Sequence, residues 1–544
     1  MSITWKPLAV AVAVSSLLAA GSVPAHASGD SSSTPKSGNV ASAEGSDGVN
    51  TFWGDDTTKQ GKKASKGPGG WDASVDEGSM YNVTKAIGAQ DVWASDVTGK
   101  DVTVALVDTG VVPVQGLQKD DKVIDGPDLS FESQSAGTRY LDGYGHGTHM
   151  AGIIAGKDEG FDPKHPSSTL FAGVAPDAKL LNMKVATGDG GADVSQIIAA
   201  IDWVVAHRDD SGMHVRVLSL SYGTESIQSW RVDPLAKAVE NAWSHGILVV
   251  ASAGNDGLAT DHLVMPAADP HVLAVGAADN NGTASSGDDV VAEFTNGGDA
   301  TRRPDVLAPG KSVVSLRDPS SYIDQVHPEA LVPQDPAQRF FRGSGTSQAA
   351  AVVAGEAALL FSAEPKLTPD QVKSLLLSTA RPLAVENPAQ GNGVTNVGRA
   401  VALVKAKQVP TVSASDAPSS TGLGSLESSR GGEHVVDPQT GDPLTGEVDA
   451  LGSAWRPASW VNAEATDSAW VKGAWNGATW TGTKWDKKQL QAVLWTGTSW
   501  SGAPWASHNW STDDFQARSW RGNSWKARSW REESWAARSW RDLS

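Results

Sequence analysis

Three residues of this 544-residue chain have the types and surroundings for acyl transfer: Asp108, His146 and Ser347, in that order. Ser347 closes the turn Gly343-Ser-Gly-Thr-Ser347 and opens a run of Ala, Val and Gly. Its hydroxyl is therefore expected at the N-terminus of a slim helix, where unpaired N–H groups and the helix dipole face any anion formed beside it. His146 projects from the glycine-lined turn Gly143-Tyr-Gly-His146-Gly before a second helical run, Met150 to Gly156. Asp108 ends an apolar run from Val102 and is followed by Thr-Gly. Carboxylate, imidazole and hydroxyl in this chain order form one of the recurring arrangements in which a base activates a serine.

Each member alone has a plainer reading. Gly-Thr-Ser before small residues commonly caps a helix, and Asp-Thr-Gly commonly ends a strand. Asp-Thr-Gly also serves aspartic proteases, but that chemistry needs two carboxylates sharing a proton, and no second copy occurs. His146 and His149 have metal-like spacing without a third ligand nearby, so His149 reads as a packed residue of the helix's first turn.

The elements that must position these residues are legible as alternating patterns. Val102–Val107, Val215–Ser221, Gly246–Val250 and Val272–Val275 are short, continuous apolar runs, separated by helical patterns such as Val194 to His207, Pro234 to His245 and Pro369 to Thr379. The alternation predicts an α/β fold, a parallel sheet covered by helices on both faces, with its site beyond the carboxyl ends of the strands. Asp108, Ser221 and Asn255 all fall at such ends.

From Ser79 to Lys405 the chain closely resembles the subtilisin-like serine proteases, the subtilase (peptidase S8) family. The resemblance rests on Val-Ala-Leu-Val-Asp108-Thr-Gly, Gly145-His146-Gly-Thr-His-Met-Ala-Gly, Ser219-Leu-Ser-Tyr-Gly223, Ala251-Ser-Ala-Gly-Asn255, Arg303-Pro-Asp-Val-Leu-Ala-Pro-Gly310 and Gly345-Thr-Ser347, in this order. It implies a subtilisin-like sheet, and peptide hydrolysis in which His146 takes the Ser347 proton while Asp108 fixes the imidazole tautomer. Asn255, otherwise a turn residue before Asp-Gly, would help the Ser347 N–H hold the oxyanion. Substrate would lie extended between Ser221-Tyr222-Gly223 and Ala251-Ser252-Ala253-Gly254. The chain departs from the family pattern at Gln348, usually Met, and at Ala351, usually Pro. The loop Lys157 to Leu170 does not look like the common calcium loop, and the insert Arg317 to Gln338 is long and rich in Pro. No cofactor is required for the chemistry, and a structural calcium stays open.

Composition bounds the rest. A net charge of −18 and a pI near 5.1 argue against nucleic-acid binding, and the absence of Cys excludes disulfides and thiol chemistry. Residues 1–27 read as a cleaved secretory signal with Ala25-His-Ala27 at its end, which predicts a secreted, extracellular protein without a transmembrane anchor. Residues 28–78 read as a disordered or pro-segment-like linker without a recognisable folding pro-domain; residues 79–405 are the peptidase domain and 406–450 a linker.

In the region 451–544, fifteen of eighteen slots at a five-residue step from Trp455 to Trp540 are Trp, with Ala465, Leu490 and Phe515 as exceptions. A five-residue step scatters Trp around a helix and alternates it across a flat strand, so a β-rich or loosely ordered array with stacked indoles is expected. Protein or peptide substrates are the expected partners, with a cell-envelope polymer as a candidate ligand of the Trp repeats. The competing reading is a catalytically impaired scaffold that binds envelope or glycan through this tail.

Overall fold

The computed structural model describes residues 71–481, apart from 120, 136, 211, 333–334, 336, 412–416, 433 and 438–439. The signal-peptide reading, most of the stretch 28–78 and the repeats beyond Thr481 lie outside the described residues.

Near-continuous apolar runs form a sheet buried on both faces, as parallel strands flanked by helices must be. Its strands are β1 (Thr103–Asp108), β2 (Val123–Asp125), β3 (Lys179–Lys184), β4 (Val215–Leu220), β5 (Leu248–Ser252), β6 (Leu273–Asp279), β7 (Val290–Val291) and β8 (Val306–Pro309). They run in the order β2-β3-β1-β4-β5-β6, with β8 parallel and the short β7 antiparallel to β6. The order reverses at β1, which pairs with β3 on one side and β4 on the other. Asp108 ends that strand, at the crevice where such sheets place their ligands.

Helices α1 (Met80–Ala86) and α2 (Ala89–Trp93) precede the sheet, and α3 (His146–Ala155), α4 (Val194–His207) and α5 (Pro234–Ser244) connect its strands. The hairpin of β9 (Val313–Leu316) and β10 (Phe340–Gly343) brackets the Pro-rich insert, which carries α6 (Tyr322–Val326). α7 (Thr346–Ala363) then passes through the core, buried from Thr346 to Phe361. It is long and apolar enough to cross a bilayer, a match not expected from the sequence, yet 89% of it is enclosed by protein. Its small residues explain how it fits: a Cβ on Gly355 would lie 2.5 Å from Val174 Cβ. α8 (Pro369–Thr379) and α9 (Val397–Lys405) complete the covering layer.

Two stretches differ from expectation. Trp71 and Asp76, within the stretch read as a linker, are tied down: the Trp71 ring lies 4.9 Å from that of Phe340, and Asp76 takes hydrogen bonds from Trp71 Nε1 and Arg342. Residues 417–450, also read as a linker, include α10 (Leu426–Arg430), where Leu426, Ser429 and Arg430 are buried. Composition suggested a linker because the few apolar residues that anchor this segment, Leu426, Val435, Leu444 and Ala450, are scattered among Ser, Gly, Pro and Asp rather than set in a stripe.

The first Trp repeats pack on the same body. α11 (Pro457–Ala465) carries Trp460, and β11 (Trp470–Val471), β12 (Ala474–Trp475) and β13 (Ala478–Thr479) form a small antiparallel meander. Its turns, Lys472-Gly473 and Asn476-Gly477, have positive φ at both positions, as tight two-residue hairpins need. Trp460 and Trp475 donate their indole N–H groups to the same atom, Asp202 Oδ2 on α4, at 2.9 and 2.8 Å. Trp455 lies with its ring 5.1 Å from Trp460 and 6.2 Å from Trp475. These three indoles and Trp470 are at most 6% exposed, so they are core residues and not a surface for polymer.

Candidate active site

Asp108 ends β1 and His146 begins α3, and the two meet: His146 Nδ1 lies 2.7 Å from Asp108 Oδ1, with both residues almost fully buried. The Thr109 N–H also donates to Asp108 Oδ1, at 2.8 Å. Close approach of the two segments requires a residue without a side chain after His146, because a Cβ on Gly147 would sit 2.1 Å from the Gly110 carbonyl oxygen.

One buried residue that the sequence reading passed over organises this junction. Asp142 accepts from the N–H groups of Gly145 (2.7 Å) and Thr148 (2.7 Å) at the start of α3, and from the Thr109 hydroxyl at 2.7 Å. Thr109 Oγ1 in turn accepts from the Gly147 N–H at 2.8 Å. Burial raises the Asp142 carboxyl while these donors lower it. Its signal was present, an Asp four residues before His146 where helix caps occur. The loop before it is held by Lys184 at the end of β3, a buried ammonium bonded to Glu132 at 2.6 Å and to the Thr138 and Leu141 carbonyls.

His149 does not pair with His146 as a metal ligand. Its Nε2 faces the Phe341 carbonyl at 3.1 Å, and burial pushes its imidazole down to about 3, so it stays neutral.

Ser347 is the second residue of α7 and is 6% exposed. Its carbonyl accepts from Ser221 Oγ at 3.4 Å, which joins the nucleophile turn to the end of β4. Asn255 follows β5, and its Oδ1 accepts from the Thr346 N–H (2.8 Å) and hydroxyl (3.0 Å). These bonds fix the Asn255 amide against the start of α7, and both of its ends lie 3.7 Å from a Cβ built on Gly345. Ala251, Ser252, Ala253 and Gly254 lead into Asn255, and the Gly254 carbonyl accepts from Thr346 Oγ1 at 3.3 Å. Tyr222 and Gly223 leave β4 beside them, a Cβ on Gly223 lying 2.3 Å from Val264 Cγ2. The first turns of α3 and α7 converge at Gly343, where a Cβ would meet Gln348 Nε2 at 2.6 Å and His149 at 3.2 Å. Gln348 is fully buried, and neither end of its amide has a hydrogen-bond partner.

The Pro-rich insert closes over the histidine turn. The Tyr322 and Ile323 N–H groups donate to the Gly143 and Tyr144 carbonyls, each at 3.0 Å, and the Tyr322 ring stacks on Tyr144 with centroids 5.6 Å apart.

In the loop 157–170 the buried carboxylate, Asp158, is paired with Arg339 and with the Phe171 N–H, so it offers no free ligand to calcium. Among the described residues, Glu240, Asp269 and His271 bring ligand atoms within 4.8 Å of one another. His271 Nδ1 lies 2.9 Å from Asp269 and 3.3 Å from Glu240, its Nε2 faces the Ala417 carbonyl at 3.2 Å, and the carboxylates raise its affinity for a proton, so hydrogen bonds engage both ring nitrogens.

A parallel sheet reversing at β1, with a buried Asp–His pair and a serine at a helix start beyond its carboxyl edge, is the architecture of the subtilisin-like class. Residues 99–400 match the Subtilase family, Peptidase S8. Similar proteins include the serine protease AprX of Bacillus subtilis (strain 168), 37% identical over 331 residues that cover 59% of this chain and 71% of that protein. Subtilisin DY of Bacillus licheniformis is 34% identical over 314 residues, covering 57% and 94% respectively. The major intracellular serine protease of Bacillus subtilis (strain 168) is 32% identical over 328 residues, covering 59% and 88%. The chain belongs to the subtilase family of proteases.

Proposed function

We propose that this chain is a secreted serine endopeptidase that cleaves proteins and peptides through Asp108, His146 and Ser347. The 2.7 Å contact between His146 Nδ1 and Asp108 carries the reading. It fixes the tautomer that leaves Nε2 as the base, and it stabilises the imidazolium formed when Ser347 attacks a carbonyl. The Asn255 amide and the Ser347 N–H receive the oxyanion, in a place where the donors are fixed before charge develops. His146 then returns the proton to the departing amine, and water repeats the cycle on the acyl-enzyme. Extended substrate lies along Ser221–Gly223 and Ala251–Gly254. Apart from that water, these steps use only the chain's own groups, and in the loop 157–170 the Arg339 guanidinium neutralises the buried Asp158 carboxylate.

Incubation with casein and with a serine-reactive phosphonate tests the assignment. Parent protein is expected to digest casein and to be labelled at Ser347. Ser347→Ala should lose about a millionfold in turnover, the loss seen on removing this nucleophile in subtilisin, a member of the same family. Near-normal proteolysis by that variant would refute the assignment. Secretion is checked by the N-terminal sequence of protein from the culture medium, expected to begin after Ala27.

A further inference from the structure

The family match ends at residue 400, yet α10 lies along the segment that leaves the substrate strand. Ile227 N–H donates to the Ser428 carbonyl at 3.1 Å. Gln228 exchanges two hydrogen bonds with the Ser425 backbone, at 2.8 and 3.0 Å, and Ser429 Oγ donates to Asp233 at 3.0 Å. At the end of α10, Gly431 has φ +74° and touches the strand exit: a Cβ there would lie 2.4 Å from the Glu225 carbonyl oxygen.

The same helix end reaches the facing loop. Arg430 is buried and donates from Nε to Asp193 at 2.6 Å, the residue that caps α4. Its other nitrogens donate to Gly446 O, Val448 O and Glu427. Next to Asp193, the Ala192 carbonyl receives the Tyr222 hydroxyl at 3.5 Å. Arg430 and Gly431 thus bridge the exit of the substrate strand at Glu225 and the loop that enters α4.

Direction along the cleft follows from the site. Ser221 is bonded to the nucleophile turn, so the path from Ser221 to Glu225 leads away from the scissile bond toward Gly431. The leaving amine takes its proton from His146, whose turn is covered by Tyr322 and Ile323. Residues preceding the scissile bond therefore run toward α10.

We infer that α10, anchored by Arg430 and Gly431, is the distal wall of the substrate cleft and sets preference at the second to fourth residues before the scissile bond. The inference rests on the proteolytic reading. Arg430 is a positioning residue: it touches the wall, not the substrate. Binding energy from residues remote from the reacting centre is what such a wall contributes, and substrates too short to reach it gain none.

The test compares full-length parent, Arg430→Gln and Gly431→Ala on a peptide library and on an N-acetyl amino-acid ester, which engages only the reacting centre and its adjacent pocket. The ratio of hexapeptide to ester kcat/KM is expected to fall about tenfold in each variant, with altered preference at the second to fourth residues. Unchanged ratio and profile in variants with native near-UV circular dichroism would overturn the wall. Should neither variant fold, hydrogen exchange on the parent decides. A tetrapeptide boronate should protect residues 225–233 and 425–431 beyond the protection given by a single-residue boronate, and equal protection overturns the inference. A parent inactive on both ester and peptide would instead overturn the proteolytic reading itself.

Discussion

Thr109 and Asp142 are locked together, the Thr109 hydroxyl donating to Asp142 at 2.7 Å while accepting from the Gly147 N–H at 2.8 Å. Through this pair the strand end carrying Asp108 and the helix start carrying His146 become one rigid unit. Asp142→Ala is predicted to lower kcat about a hundredfold with little change in KM, since small displacements of a base are costly. Asp142→Asn, which keeps an acceptor for the Gly145 N–H and the Thr109 hydroxyl, should recover part of the loss. A KM effect without a kcat effect would place Asp142 outside the positioning of the base.

Asn255→Ala removes a proposed oxyanion donor that is held in place by Thr346. A loss of about a hundred- to a thousandfold in kcat is expected, as for the same donor in the related subtilisin. An unchanged rate would show that the oxyanion is held by other groups.

Gln348 sits where the family usually has Met, and its amide is buried without partners. Leaving such groups unsatisfied costs about 1–3 kcal/mol. Gln348→Met should therefore raise the melting temperature of a Ser347→Ala background, in which self-digestion cannot interfere. A lower melting temperature would show that the amide is used.

The docking of the Trp repeats should depend on pH. Glu464 on α11 is buried beside Asp202, and burial together with that charge raises its carboxyl to about 10, while Lys237 and Asn241 on α5 favour the charged form. Burial also raises Asp202 to about 6, opposed by the two indole N–H groups. A detached segment would release the Glu464 proton near its ordinary 4.5, so docking is strongest below that pH and is lost as pH rises. Between those limits each pH unit weakens docking by about 1.4 kcal/mol per proton released. Tryptophan fluorescence during urea titration from pH 5 to 9 measures the slope. Glu464→Gln should remove about one proton of dependence, and an identical slope in that variant would exclude this carboxyl.

The Asp108–His146 contact and the helix start at Ser347 were legible because each residue stands in a short glycine-marked motif whose backbone needs are local. Most of the parallel sheet was legible because its buried strands are largely apolar runs, whereas β3, with Lys179, Asn182 and Lys184 among its six residues, carries no such signal. Asp142 was harder to see, because its partnership with Thr109 spans 33 residues. The first repeats posed the largest difficulty: two of their indoles share one carboxylate, Asp202, lying 258 residues from Trp460 and 273 from Trp475. Arg430 was hidden likewise, in a stretch whose Ser, Gly and Pro content imitates a linker while its side chain is bonded to Asp193.

Asp202 also sets a schedule for the newborn chain. Trp475 is synthesised 128 residues after Ser347, so every residue of the proposed catalytic machinery exists before the carboxylate on α4 can meet its second indole. At about 5–20 residues per second, this interval lasts roughly 6–26 seconds. Until Trp460 arrives near the end of it, the growing polypeptide holds Asp202 without either indole, and completing the core is a late event in translation, triggered by the arrival of tryptophan.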